Sequence, residues 1–88
     1  MLVTWDGAKR ALNLSKHGVD LAWAADFEFE TALVDEDRDV TGEQRFRAIG
    51  FIGDRLFFLA YTEMEEGIRA ISLRFATSKE RRRYAEGD

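Results

Sequence analysis

From Arg45 to Phe75 the chain alternates with a period of two, in the consecutive segments RFRAIGFI, RLFFLAYT and GIRAISLRF. Alternation of this kind is strand geometry, because successive side chains on a strand point to opposite faces. Gly53-Asp54 fits a two-residue hairpin turn, and EMEEG supplies the next connection, with Gly67 able to take a positive φ. An antiparallel meander follows. Its middle strand carries Leu56, Phe58 and Ala60 on one face and Phe57, Leu59 and Tyr61 on the other. Apolar on both sides, it reads as a central strand covered at least in part on each face.

The flanks supply helices. LVTW reads as a short strand of β-branched and aromatic residues. Asp6 then serves as N-cap of a helix that Gly18 closes, the glycine taking the left-handed conformation at little steric cost. Ala8, Ala11, Leu12 and Ser15 share one side of that helix, and Asp6, Lys9, Asn13, Lys16 and His17 form a polar stripe on another. Asp20 caps a second helix running to about Phe27, with Leu21, Ala24, Ala25 and Phe27 or Glu28 at helical spacing. TALV is a candidate edge strand, and DEDRDVTGEQ is charged enough to read as an exposed loop. Thr77 and Glu80 have capping-box spacing at the start of a C-terminal helix. The expected fold class is α+β: a short N-terminal strand and two helices, an antiparallel β-meander and a C-terminal helix.

At 88 residues the chain can hold one core, so a single domain over residues 1–88 is expected. Its 45% hydrophobic content and seven phenylalanines are those of a folded protein. With no cysteine there is neither a disulfide nor a thiolate site, which suits the cytoplasm. No stretch approaches the ~20 apolar residues of a membrane helix, so a soluble protein away from membranes is expected. The formal net charge of -4 taken alone argues against nucleic acid. Its distribution argues otherwise: Asp20 to Glu43 holds nine acids and one base, and Arg69 to Tyr84 holds six Arg or Lys and one acid.

Several residues have chemistry to offer, each with a structural alternative. His17 is the chain's sole histidine, and imidazole is the natural proton-transfer group near neutral pH. It also suits a helix C-terminus as a simple solvated cation. Arg45, Arg47, Arg69 and Arg74 interrupt apolar strands, where a guanidinium needs a partner. RNA phosphate, an internal carboxylate and a partner's carboxylate would each satisfy it. By strict alternation Arg74 shares a face with Ser72 and Ala70, whereas Arg69 aligns with Ile71, Leu73 and Phe75. Arg81, Arg82 and Arg83 spread around a helical turn, so some face solvent. Tyr84 either carries its hydroxyl to a site or packs its ring, and Trp5 and Trp23 read as core residues, with Trp5 near enough to the capped helix to line a cleft. A phosphate-binding glycine loop, a paired metal-binding histidine motif and a serine elbow are all absent, so nucleotide hydrolysis, zinc chemistry and acyl transfer lack their expected residues.

In combination these pieces are more specific. Trp5-Asp6, Lys9, Asn13 and Lys16-His17-Gly18-Val19, then Arg45 and Gly50, then Tyr61-Thr62, Arg69, Ile71-Ser72, Arg74, Ala76-Thr77, Glu80-Arg81 and Tyr84 resemble the BrnT family of type II toxin–antitoxin toxins. Leu73 and Phe75 depart from that pattern, which has smaller or more polar residues beside the arginine. The resemblance implies a compact RelE-like fold and metal-independent cleavage of RNA by attack of a ribose 2′-hydroxyl on the neighbouring phosphate. It implies His17 as the proton-transfer group, Arg69 and Arg74 stabilising phosphate charge, and Tyr84 positioning substrate or sharing in proton transfer. Lys16 and Arg45 would contact flanking phosphates, with Lys9 and Glu80 as substitutes in the catalytic set. It also implies inhibition of translation and growth, a BrnA-like ribbon-helix-helix antitoxin, operator DNA reached only through that antitoxin, and a dimeric toxin within the complex. The alternative is a non-catalytic module, an inactive toxin relative or an adaptor, that uses the same arginines to hold a protein.

Overall fold

The computed structural model describes residues 1–38 and 40–87. Strand β1 (Leu2–Trp5) leads into helix α1 (Gly7–His17), and a short 3-10 helix (Leu21–Asp26) precedes β2 (Leu33–Arg38), β3 (Gln44–Ile52), β4 (Arg55–Met64), β5 (Gly67–Phe75) and helix α2 (Ser78–Glu86). One sheet holds all these strands in the order β1-β5-β4-β3-β2. The meander β2 to β5 is antiparallel throughout, and β1 joins it parallel to β5, from Leu2 opposite Gly67 to Trp5 opposite Ala70. The fold is therefore α+β with a mixed sheet, and β4 is its centre as the two apolar faces predict.

Four details differ from the sequence-based expectation. The second helix is 3-10 and not α, because the side chains that reach the sheet are Leu21, Ala24 and Phe27, spaced three apart, and three residues per turn is the 3-10 repeat. Ala25 is exposed. The charged segment after Val34 is strand as far as Arg38 and again from Gln44, held by the register Asp35 to Arg47 and Asp37 to Arg45; Asp39 of the expected loop lies outside the described residues. Gly67 is absent from the positive-φ glycines. Its role is close approach, since a Cβ there would sit 1.9 Å from the Leu2 carbonyl oxygen.

The fourth difference sets the geometry of the molecule. The pairing of β4 with β5 shifts register between Ala60 and Tyr61, so Ser72 lies opposite Ala60 while Ala70 lies opposite Tyr61. Ile71 is the additional residue of a β-bulge, which resets the alternation. Ala70 and Leu73 consequently face the core, and Arg69, Ser72 and Arg74 share the other face with Thr62, Ala60 and Phe58.

On the core face Val19, Leu21, Ala24 and Phe27 cover Ala48, Phe57, Leu59, Tyr61, Ile68, Ala70 and Leu73. Gly50 makes room for this cover, since a Cβ there would lie 2.7 Å from the Phe27 ring. The opposite face is roofed by α2 only over part of its area, where Tyr84 sets its ring edge-on to Phe51 at 5.5 Å.

Helix α1 docks in an unusual way. Leu12 and Leu14 are exposed, and its one buried residue is Asn13. β1 ends at Trp5, so the edge of β5 beyond Ala70 has no strand beside it. There Asn13 donates to the carbonyls of Leu73 and Val19, both at 2.8 Å, and accepts from the Leu73 N–H at 3.0 Å. The polar stripe of the helix, and not its apolar side, is what faces the sheet. Arg10 binds Asp20 through two contacts of 2.8 Å and ties the helix to the segment that follows it.

Replacing Asn13 by Ala strips hydrogen bonds from the buried Leu73 peptide and the Val19 carbonyl, and each orphaned group costs ~1–3 kcal/mol. An Asn13→Ala protein is expected to lose roughly 2–4 kcal/mol in urea unfolding with little change in slope. Wild-type stability in that variant would show that the helix is held some other way.

Candidate active site

The helix docked by Asn13 lies beside the bulged strand, and the sequence-predicted residues distribute around the seam. A hollow of about 160 Å³ is lined by Lys9, Leu12, Asn13, Lys16 and His17 of α1 and by Ile71 and Ser72 of β5. An adjoining hollow of about 430 Å³ shares Lys9 and Ile71 and adds Arg45, Arg69, Glu43 and Trp5, with Asp6 at its rim. Lys9, Lys16, His17, Arg45 and Arg69 are thus brought to one continuous depression. Lys9, Asn13 and Lys16-His17 reach it together because residues three and four apart stack on one side of a helix.

Arg74 stands beside this depression. It follows Ser72 by two residues on the same face, about 7 Å along the strand. Its guanidinium grips Glu80 at 2.8 and 3.0 Å and lies 4.2 Å over the Phe58 ring. Tyr84 is not brought to either hollow: its hydroxyl donates to the Thr31 carbonyl at 3.1 Å, and its ring packs on Phe51. Glu80 also accepts from the Thr77 N–H at 2.9 Å, completing the expected capping box.

The cations differ sharply in how they are used. Arg10, Arg47, Arg74 and Arg83 each face a carboxylate, Asp20, Asp37, Glu80 and Asp35 respectively. Arg45 Nε lies 3.8 Å from Glu43. Among the described residues, Lys9, Lys16, His17 and Arg69 make no side-chain hydrogen bond or ion pair. Four cations without a protein partner thus line the depression, and a group with several negative oxygens is what they can hold.

Residues that the sequence-based set leaves out also line it. Ser72 lines the smaller hollow with His17, its hydroxyl 3.5 Å from Asn13 Oδ1, and Glu43 is the carboxylate beside Arg45 in the larger one. The signal for Glu43 is its spacing: Glu43, Arg45 and Arg47 fall on one side of an extended chain. Reading residues 35 to 44 as a loop hides that pattern. Among the described residues no three His, Asp or Glu side chains gather as a metal-binding cluster, and no helix is long and apolar enough to cross a membrane.

The Arg74 guanidinium, and after it the Thr77 N–H, hold the Glu80 carboxyl below its usual range, against the opposing effect of burial. A depressed carboxyl adds stability that is complete above its unfolded pKa and disappears as pH falls through the lower folded value. Glu80→Gln is expected to be less stable than wild type at pH 7 by about 1–2 kcal/mol, after allowing for partial exposure. The gap should close in urea titrations carried from pH 6 down to pH 3; a constant gap would show that the charge of Glu80 contributes nothing.

The profile of one family, described as ribonuclease toxin, BrnT, of type II toxin-antitoxin system, matches residues 5–80. Among solved structures the chain is similar to the crystal structure of the Brucella abortus ribonuclease toxin, BrnT, at 30% identity and a TM-score of 0.64, covering 86% of this chain and 96% of that one. No curated protein sequence matches.

Proposed function

Since the chain belongs to the BrnT family of ribonuclease toxins of type II toxin–antitoxin systems, we propose that it is a metal-independent endoribonuclease whose substrate lies in the depression between α1 and β5. The observation that carries this reading is the gathering of Lys9, Lys16, His17 and Arg69, all without protein partners among the described residues, around one concavity. A polyanion supplies what those groups lack.

In this reading the ribose 2′-hydroxyl attacks the adjacent phosphorus, its proton leaves, and the 5′-oxygen departs as it gains a proton. His17 is the proton-transfer group, at the end of α1 where Lys16 and Ser72 flank it. Arg74 and Arg69 lie on one face of β5 and stabilise negative charge on the reacting phosphate and its neighbour. Arg74 does so by exchanging part of its bidentate contact with Glu80 for phosphate oxygens. Lys9, Lys16 and Arg45 bind the substrate on either side. Tyr84 acts at a distance, fixing α2 against Thr31 so that Glu80 presents Arg74 at a constant angle.

The same reading gives the chain a cytoplasmic place, an effect on translation and growth, and a BrnA-like ribbon-helix-helix antitoxin. The antitoxin neutralises it by covering the depression with acidic or apolar groups, carries the operator contacts, and joins toxin dimers in the complex. The RelE-like relationship of the fold belongs to this proposal as well. A non-catalytic binding module would use the same cations on a protein carboxylate, but it gives no reason for an imidazole among them.

Purified protein is expected to cleave single-stranded RNA equally well with and without EDTA. His17→Ala should reduce the rate by roughly 10²- to 10⁴-fold, and Arg74→Ala by about 10- to 10³-fold. RNA left intact by wild-type protein would favour the binding module; cleavage that survives both substitutions would discard these roles and keep the enzyme.

A further inference from the structure

We propose that an apolar notch beside β1 docks an extended segment of a partner protein, whose long apolar side chain enters the notch with Lys or Arg on either side of it. Leu2, Gly67 and Met64 stand in register across β1, β5 and β4. The glycine in the middle has no side chain, and the residues flanking it stay half exposed, Leu2 at 52% and Met64 at 49%. A hollow of about 240 Å³ results, walled by Leu2 and Met64 with Thr4 beside them. A larger residue cannot fill it from the centre, because a Cβ at Gly67 would collide with the Leu2 carbonyl oxygen. The Thr4 hydroxyl is already engaged, 3.4 Å from the Ile68 carbonyl and 3.7 Å from Met64 Sδ. What the notch lacks is therefore an apolar occupant.

Two further features fix the chemistry of that occupant. β1 ends the sheet order and pairs with β5 alone, so its other side is an open strand edge. Such an edge is a template on which an extended segment adds through backbone hydrogen bonds, and alternate side chains of that segment fall on the face that carries Leu2 and Thr4. Glu65 and Glu66 form the turn between β4 and β5 at the rim of the notch. Among the described residues neither carboxylate makes a side-chain hydrogen bond or an ion pair. Lys or Arg on the incoming segment complements this rim, whereas RNA phosphate is repelled by it. The chain's own edge sequence, LVTWD, brings no Lys or Arg to the rim, so a second copy is the poorer fit. The notch shares none of its lining with the depression that holds Lys9, His17 and Arg69, and the inference stands apart from the ribonuclease reading.

The test is fluorescence anisotropy of the full chain with three labelled synthetic peptides of extended, Thr-rich sequence: one with a central Leu between two Lys, one with Ser in place of the Leu, and one with Glu in place of each Lys. The first is expected to bind, the Ser peptide about 10- to 100-fold more weakly. The Glu peptide should bind about 5- to 30-fold more weakly at low salt, a gap that narrows as salt rises. Met64→Ser, a change at an exposed position, should erase the preference for Leu over Ser. The double variant Glu65→Lys, Glu66→Lys should prefer the Glu peptide. No binding of the first peptide would overturn the proposal, as would a Leu preference unchanged in Met64→Ser. Displacement of the peptide by single-stranded RNA would place it in the depression and overturn the proposal too. If the protein cleaves no RNA, the ribonuclease reading falls and the peptide comparison still decides the notch.

Discussion

The side-chain amide of Asn13 takes the place of a missing strand. It offers Leu73 a donor and an acceptor, as a neighbouring peptide would, at the point where β1 has turned away into α1. An edge left bare there would expose a backbone ladder for pairing with another chain. Most helices dock on a sheet through an apolar stripe that fills the space between them. Here a buried amide docks the helix on the sheet, Leu12 and Leu14 remain exposed, and Lys9, Lys16 and His17 are carried to the seam by their spacing from Asn13. The depression therefore follows from the way the helix is anchored: a leucine at position 13 would close the seam with apolar surface and leave the Leu73 peptide unpaired.

The bulge at Ile71 completes the other wall. Without it, alternation would send Arg69 to the core side of β5 along with Leu73, and a guanidinium there would be buried against Tyr61 and Leu59 with nothing to pair it. One additional residue moves Arg69 to the open face and aligns it with Ser72 and Arg74. The core keeps Ile68, Ala70 and Leu73, so apolar burial and cation display are both met by the same strand. Bulges commonly re-aim side chains in this manner.

How far the sequence revealed this can be judged residue by residue. The meander, the central place of β4, the Asp6 cap and the Thr77–Glu80 capping box were legible because each depends on near neighbours in the chain. The bulge was hidden, since its cause is the competition between two burial patterns along GIRAISLRF and the partner strand decides it. The 3-10 helix was hidden because three- and four-residue spacings coincide over so short a segment. Asn13 sat in the polar stripe with His17, and no local pattern tells a buried amide from a solvated one. Of the candidate site, the stripe of Lys9, Lys16 and His17 follows from helical spacing, whereas which strand arginines lie beside it depends on the bulge, and the distance of Tyr84 depends on where α2 lands. Glu43 is hidden because its neighbours Asp35 to Gln44 are charged enough to look like loop, although the cross-strand register holds most of them extended.

Charge on this face is then organised by pairing and not by composition. The acidic stretch that makes the chain negative overall supplies Asp20, Asp35 and Asp37 to Arg10, Arg83 and Arg47, which neutralises those arginines where the fold needs them. Lys9, Lys16, His17 and Arg69 are among the cations that these acids do not reach, and they lie along α1 and the bulged strand. Glu80 is the exception that links the two populations, because one carboxylate caps α2 and holds Arg74. An anion arriving at Arg74 would have to displace Glu80 from the guanidinium, while the carboxylate keeps its bond to the Thr77 N–H. Arg69 carries no such tie, and its affinity for an anion is free of that cost.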